Sequence, residues 1–269
     1  MFMTRVVTAA IALAVFLAAL FFLPQQLWAL FLLVGLAIAS WEWAALAGFQ
    51  RAARIGYAVL IVTSALVLLY VVPRLSASPQ RVDMAVYAAS CVFWIGVAPW
   101  WLGQRWALRN KVVLAVAGWI ALVPMWLALV RLQGTPWALL LFMSIVWFAD
   151  TAAYVAGKQW GRNKLAPLIS PGKTWEGALG ALFVVAVYYG VLLLMLPPGQ
   201  RYFDGWWGLA LFAAILVLSV EGDLFESWMK RQAGVKDSGQ ILPGHGGILD
   251  RIDGLTATIP AAALAFYLR

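Results

Sequence analysis

Long uncharged runs separated by short charged interruptions dominate the chain. They cover residues 6–41, 55–73, 84–104, 112–130, 132–149, 177–200, 205–220 and 254–268. A helix rises about 1.5 Å per residue, so roughly 20 apolar residues cross the ~30 Å hydrocarbon core of a bilayer. The first run is long enough for two helices broken near Pro24, which brings the expected number of membrane helices to nine. The first pair is the weakest of these, because 6–41 would also fit a re-entrant hairpin. The last run is short and gains length toward Asp253, and interior acids extend several other helices beyond their uncharged parts.

Arg5 ahead of the apolar stretch 6–23 gives the beginning some look of a secretory signal. No small-residue cleavage site follows, and Pro24-Gln25-Gln26 leads directly into more apolar sequence, so the stretch reads as a membrane span. Composition agrees: 64% of the 269 residues are hydrophobic and 11% are charged, against about 25% charged in soluble domains. A soluble domain is thereby excluded. The expected fold is an all-α, polytopic membrane helical bundle, since backbone polar groups in lipid must be satisfied internally. It divides into N-terminal spans over 1–130 and a catalytic membrane region over 131–269, within one continuous bundle. Cys91, the single cysteine, has no internal disulfide partner and reads as a core or lipid-facing residue.

Charge sets the orientation. With the N-terminus in the cytoplasm, 14 of the 19 lysines and arginines fall on the cytoplasmic side; Arg74, Arg81, Arg131, Arg201 and Arg269 fall on the other. This positive-inside bias puts the C-terminus outside. Topology and anionic lipid account for the net charge of +8, so no nucleic-acid partner is expected. Nine of the eleven acids also sit in or beside the cytoplasmic half, Asp83 and Asp204 being the exceptions. Acids contribute little to topology, so this clustering points to a site on that side.

Three clusters build the site. Asp150 ends an uncharged run and shares a helix face with Tyr154; it reads as an ion or substrate ligand, or as half of a structural ion pair. Ser170-Pro171-Gly172-Lys173-Thr174 offers hydroxyls, a glycine and an ammonium ahead of a helix start, which suits an anion. It lacks the spaced glycines of a Walker motif, and an ordinary capped turn also explains it. The third cluster is the polar stretch 223–253. Asp223, Glu226 and Lys230 share one helix side with Ser227; glycines 234, 239, 244, 246 and 247 with Pro243 specify an irregular loop; Asp250 and Asp253 open the final helix. Carboxylates from two helices, without a His/Cys set, favour Mg²⁺ over zinc. Lys230, Arg231, Lys236 and Arg251 supply the opposite charge for a polyphosphate, and the combination suits transfer at phosphorus. His245 is compatible with substrate contact, proton transfer or hydrogen bonding within the loop.

Ser227-x-Met229-Lys230-Arg231, Lys236-Asp237-Ser238-Gly239 and the run from Leu242 through Pro243-Gly244-His245-Gly246-Gly247 to Asp250-Arg251-Ile252-Asp253 resemble the signature of the phosphatidate cytidylyltransferase, or CDP-diacylglycerol synthase, family. Similar in the same sense are the stretch 147–154, Lys164-Leu165-Ala166-Pro167, the stretch 170–177 and, weakly, Trp41-Glu42-Trp43. Glu221 departs from the pattern, where a neutral residue is expected beside Gly222-Asp223. The resemblance implies that CTP and phosphatidic acid give CDP-diacylglycerol and pyrophosphate in a Mg²⁺-dependent reaction, with a second metal or a monovalent cation also bound. It implies a homodimer in the inner or plasma membrane, with the site facing the cytoplasm and an intramembrane cavity for the lipid. On this reading Asp223, Asp250, Asp253 and Asp150 are metal ligands; Asp223, Lys230, Asp237, His245 and Asp250 are catalytic. Ser170, Lys173, Lys230, Arg231, Lys236, Gly246, Gly247 and Arg251 contact substrate.

A CTP-dependent lipid kinase, or a cytidylyltransferase for another lipid phosphate, would use much the same residues. A cation transporter is disfavoured because its acids would be spread across membrane depth. The lipid is expected to enter sideways between the helices around 140–156, 206–230 and 254–268, near Trp147, Trp175 and Trp228, while most of the 16 tryptophans serve as interfacial anchors.

Overall fold

The computed structural model describes residues 2–241 and 246–269. Nine helices form along the described chain: α1 (Phe2–Phe22), α2 (Gln25–Leu46), α3 (Arg51–Leu75), α4 (Pro79–Gln104), α5 (Lys111–Leu132), α6 (Pro136–Trp160), α7 (Trp175–Met195), α8 (Gly205–Gln232) and α9 (Leu249–Leu268). Seven, α2 to α8, are long and apolar enough to cross a membrane. Pro24 stands at the N-cap of α2, where its missing N–H costs nothing. The Gln133 amide fastens this break to the end of α5 by donating to Leu20 O and Leu23 O, at 3.4 and 2.8 Å.

Helices α6 and α8 run well past their uncharged parts, carrying Asp150 and then Glu221, Asp223, Glu226 and Lys230 inside helical backbone. Two π-helical segments, Val67–Val71 in α3 and Phe93–Val97 in α4, precede Pro73 and Pro99. A proline removes one ladder hydrogen bond and crowds the preceding turn, and the wider π turn absorbs that misfit.

An antiparallel hairpin departs from the all-α expectation. Strands β1 (Lys164–Ala166) and β2 (Ser170–Thr174) pair Lys164 with Thr174 and Ala166 with Ser170, where no strand is expected from the sequence. The hairpin stands between α6 and α7, which pack almost backbone to backbone. A Cβ on Gly177 would lie 2.8 Å from Ala153 O, and one on Gly180 would lie 2.5 Å from Ala156 Cβ, the small-residue packing by which membrane helices approach closely.

Helix α9 lies inside the bundle, in contact with α4, α5, α6 and α8, and nearly every residue from Gly254 to Ala263 is buried. The core is rich in aromatics. Trp28, Trp43, Trp94, Trp101 and Trp126 are buried, so these five are packing residues and not interfacial anchors. Phe225 of α8 meets Trp43, Trp94 and Trp101 at ring centroid distances of 6.2, 5.5 and 5.3 Å. The indole N–H of Trp43 donates to Leu114 O at 2.8 Å, which supplies the partner that a buried tryptophan needs. This cluster fixes α8 against α2 and α4 immediately beside Glu226.

Candidate active site

The crossing of α8 and α9 determines the site. A Cβ on Gly222 would stand 2.5 Å from Asp253 O, and one on Gly254 would stand 2.9 Å from Ser219 Oγ. No side chain separates the helices there, so Asp223 and Asp253, each next to one of these glycines, come from different helices into the same polar region. Asp253 lies within electrostatic reach of Asp223 and Glu226, and its own carboxylate accepts from Gly254 N at 2.7 Å.

Two lysine–carboxylate assemblies occupy this end of the bundle. In the first, Lys173 of β2 approaches Asp223 Oδ2 at 2.7 Å and donates to Val220 O at 3.3 Å. Ser227 Oγ donates to Asp223 Oδ1 at 3.2 Å, and the Asp223 side chain remains 36% exposed. Asp150 is exposed on α6 within electrostatic reach of both Lys173 and Asp223. In the second assembly, Lys230 Nζ bridges Glu226 Oε2 at 2.8 Å and Asp250 Oδ1 at 2.7 Å. Asp250 Oδ2 accepts from Ser238 N, Ser238 Oγ and Gly247 N at 2.9, 2.9 and 2.8 Å. The Asp250 side chain is only 5% exposed.

The other expected residues distribute around these pairs. Arg231 donates from Nε to Ile169 O at 3.2 Å, which ties the hairpin turn to α8. Ser170 is half-buried, and Lys236, Asp237 and Arg251 are exposed. Gly246 takes φ +83°, and a Cβ there would stand 2.7 Å from Asp250 Oδ2, so glycine is required both by conformation and by contact. Gly247 is buried. His245 lies outside the described residues. Glu176, counted among the clustered acids, fastens the loop before β1 by accepting from Asn163 N and Nδ2. Thr174 caps α7 by accepting from Gly177 N at 3.1 Å.

Sequence reasoning gave no individual role to Glu226 or Ser238 within the third cluster and left Glu42 outside all three, yet each is wired to the expected residues. Ser238 Oγ also donates to Glu42 Oε2 at 3.2 Å, joining α2 to the glycine-rich loop. The available signal was an acid inside a predicted membrane helix, which is costly unless it has partners.

Among the described residues, no three His, Cys, Asp or Glu side chains gather closely enough to hold a metal ion. Carboxylate oxygens are the donors a hard divalent cation requires, and Asp223 fits, being partly exposed with Asp150 nearby. At Asp250 both oxygens are engaged by protein donors, so a cation fits there only if Lys230 or the loop gives way.

Helical spans with lysines set against acids in a polar cluster at one end describe an integral-membrane protein with a charged site suited to an anionic ligand. The model of the Cytidylyltransferase family matches residues 3–268. A phosphatidate cytidylyltransferase of Pseudomonas aeruginosa is 38% identical over 269 residues, covering 96% of this chain and 94% of its own length. One from Brucella suis is 38% identical over 241 residues, 87% of this chain and 80% of its own. A third, from Haemophilus influenzae, is 48% identical over 126 residues, 45% and 43% of the two chains. The chain belongs to the phosphatidate cytidylyltransferase family.

Proposed function

We propose that the chain is an active phosphatidate cytidylyltransferase, converting CTP and phosphatidic acid to CDP-diacylglycerol and pyrophosphate. The carrying observation is the pair of lysine–carboxylate assemblies at the α8–α9 crossing, in a chain that matches the family from residue 3 to residue 268. A phosphate-monoester oxygen of phosphatidic acid is anionic near neutral pH and attacks the α-phosphorus of CTP. The new P–O bond forms as the bond from that phosphorus to the bridging oxygen breaks, and the electron pair leaves with pyrophosphate. No strong general base is needed; the main obstacle is bringing two anions together.

Lys173, Lys230 and Lys236 offset that repulsion in this reading, while Ser170, Arg231, Arg251 and the backbone of Gly246 and Gly247 hold phosphate oxygens. Asp223, Asp250, Asp253 and Asp150 are the residues that would hold Mg²⁺, with the same acids able to serve a second metal or a monovalent cation. When bound, Mg²⁺ would withdraw charge from the phosphates and the leaving pyrophosphate. Asp237 and His245 remain candidates for contacts to the reacting groups. Lys173 and Lys230 are held by acids, so binding of the nucleotide and cation would exchange these ion pairs for new ones.

The fuller architecture belongs to the same proposal. All nine helices cross the inner or plasma membrane, the N-terminus and active site face the cytoplasm, and 1–130 support a catalytic region over 131–269. The protein works as a homodimer without nucleic acid, and phosphatidic acid enters laterally beside α6, α8 and α9. The test is to incubate purified protein with Mg²⁺, labelled CTP and phosphatidic acid, with diacylglycerol and a polyprenyl phosphate as competing acceptors. CDP-lipid and pyrophosphate appearing only with phosphatidic acid are expected. Free CDP together with a phosphorylated acceptor would establish a lipid kinase instead.

A further inference from the structure

We infer that Glu42, contributed by the N-terminal part of the bundle, is a positioning residue for the nucleotide site: its carboxylate clamps both ends of the glycine-rich loop and the start of α9. Glu42 is 2% exposed. Its Oε1 accepts from Ile248 N at 3.2 Å; its Oε2 accepts from Leu249 N at 2.8 Å and from Ser238 Oγ at 3.2 Å. Ile248, the N-cap of α9, provides no side-chain cap of its own. A helix start leaves backbone N–H groups without partners and carries partial positive charge, and a carboxylate from more than 200 residues away in sequence meets both needs.

The glycines identify the loop as a socket built around this group. A Cβ on Gly239 would collide with Glu42 Oε1, and one on Gly247 would stand 2.5 and 2.6 Å from Glu42 Oε2 and Oε1. Among the described residues no lysine or arginine pairs with Glu42. Its donors are backbone N–H groups and one hydroxyl, so its charge is spent on geometry and not on neutralising a cation.

That geometry continues into the site. Ser238 shares its one hydroxyl hydrogen between Glu42 Oε2 and Asp250 Oδ2 and donates from N to Asp250, which in turn binds Lys230. Loss of the clamp therefore leaves Ser238 held by Asp250 alone, releases the backbone of Ile248 and Leu249, and loosens the loop bearing Lys236 and Asp237. The clamp acts directly on the loop that carries Lys236 and Asp237, while α6 and α7 take no part in this chain of contacts, so the effect should fall more on CTP than on phosphatidic acid.

This inference rests on the cytidylyl-transfer reading, and its test uses two readouts. One is the KM for each substrate; the other is the thermal stabilisation of purified protein by CTP and Mg²⁺, which needs no turnover. Glu42→Gln retains the size of the side chain but offers a single acceptor oxygen, so its NH2 must face a backbone donor. We expect its KM for CTP to rise about tenfold, with the KM for phosphatidic acid within about twofold and the CTP-induced stabilisation reduced. Ser238→Ala should shift the same quantities in the same direction by about threefold, and it decides the matter alone where Glu42→Gln does not fold. Lower yield and melting temperature in both variants, with KM for CTP and CTP-induced stabilisation as in the wild type, would reduce Glu42 to a folding residue and overturn the inference. A wild-type protein that is stabilised by CTP yet makes no CDP-lipid would instead defeat the functional reading alone.

Discussion

Two sets of charges lie toward opposite ends of this bundle and behave differently. Asp83 of α4 and Arg131 of α5 form an ion pair at 2.9 Å, with side chains 7% and 21% exposed, beside the stacked rings of Tyr87 and Tyr267. One acid meets one base, and the pair joins two helices. At the other end acids outnumber their lysine partners. Asp150, Asp223, Glu226, Asp250 and Asp253 gather around Lys173 and Lys230, and backbone donors of an irregular loop join them. A membrane protein therefore does not announce a site merely by burying charge. Surplus charge of one sign, unequal exposure and convergent backbone groups distinguish the end proposed as the active site.

Breaking each end should separate fold from chemistry. Asp223→Asn is expected to lower turnover by about 10²- to 10³-fold, as when a group that stabilises transition-state charge is removed, while purified protein keeps its melting temperature. Near-normal turnover at limiting Mg²⁺ would remove Asp223 from the metal site. Gly222→Ala introduces a Cβ against Asp253 O, where only backbone movement can relieve the clash. Overpacking of this kind costs about 1–3 kcal/mol, and by pushing α8 from α9 it should reduce turnover at least about tenfold, read against folded protein by size exclusion and melting.

Lys236→Met should act more narrowly, raising the KM for CTP about tenfold with little change in melting temperature, because an exposed lysine adds little to packing. Unchanged kinetics would move the nucleotide elsewhere. At the opposite end, Asp83→Asn is expected to leave kcat/KM per folded molecule unaltered. It should destabilise the fold by about 3 kcal/mol, since Arg131 loses its partner, and Arg131→Leu in the same chain should recover part of that loss. A selective fall in turnover without loss of stability would erase the contrast between the two ends.

Much of the architecture was legible in the letters because bilayer solvation is a one-dimensional constraint. Each apolar run corresponds to a helix, Pro24 separates α1 from α2, and the interior acids of α6 and α8 lie within helices that extend past their apolar parts. The hairpin at 164–174 was not, because its short strands lack a repeated alternation of apolar and polar residues. The five buried tryptophans were not distinguishable from interfacial ones, since both positions suit an amphipathic ring and only packing decides between them.

The sequence by itself determined the solvent, the helices and the chemical inventory: acids, lysines and glycines at spacings that resemble one family. Helical periodicity alone placed Asp223, Glu226 and Lys230 on one side of α8. Only the tertiary structure decided which charges meet. Lys230 bridges to Asp250 because Gly222 and Gly254 let α8 and α9 touch, and Lys173 reaches Asp223 because a hairpin projects it there. Glu42 is the sharpest case, since its partners Ser238, Ile248 and Leu249 lie about 200 residues away. Its role is fixed by how α2 packs beside α8 and α9, a relation between helices that no local pattern of residues encodes.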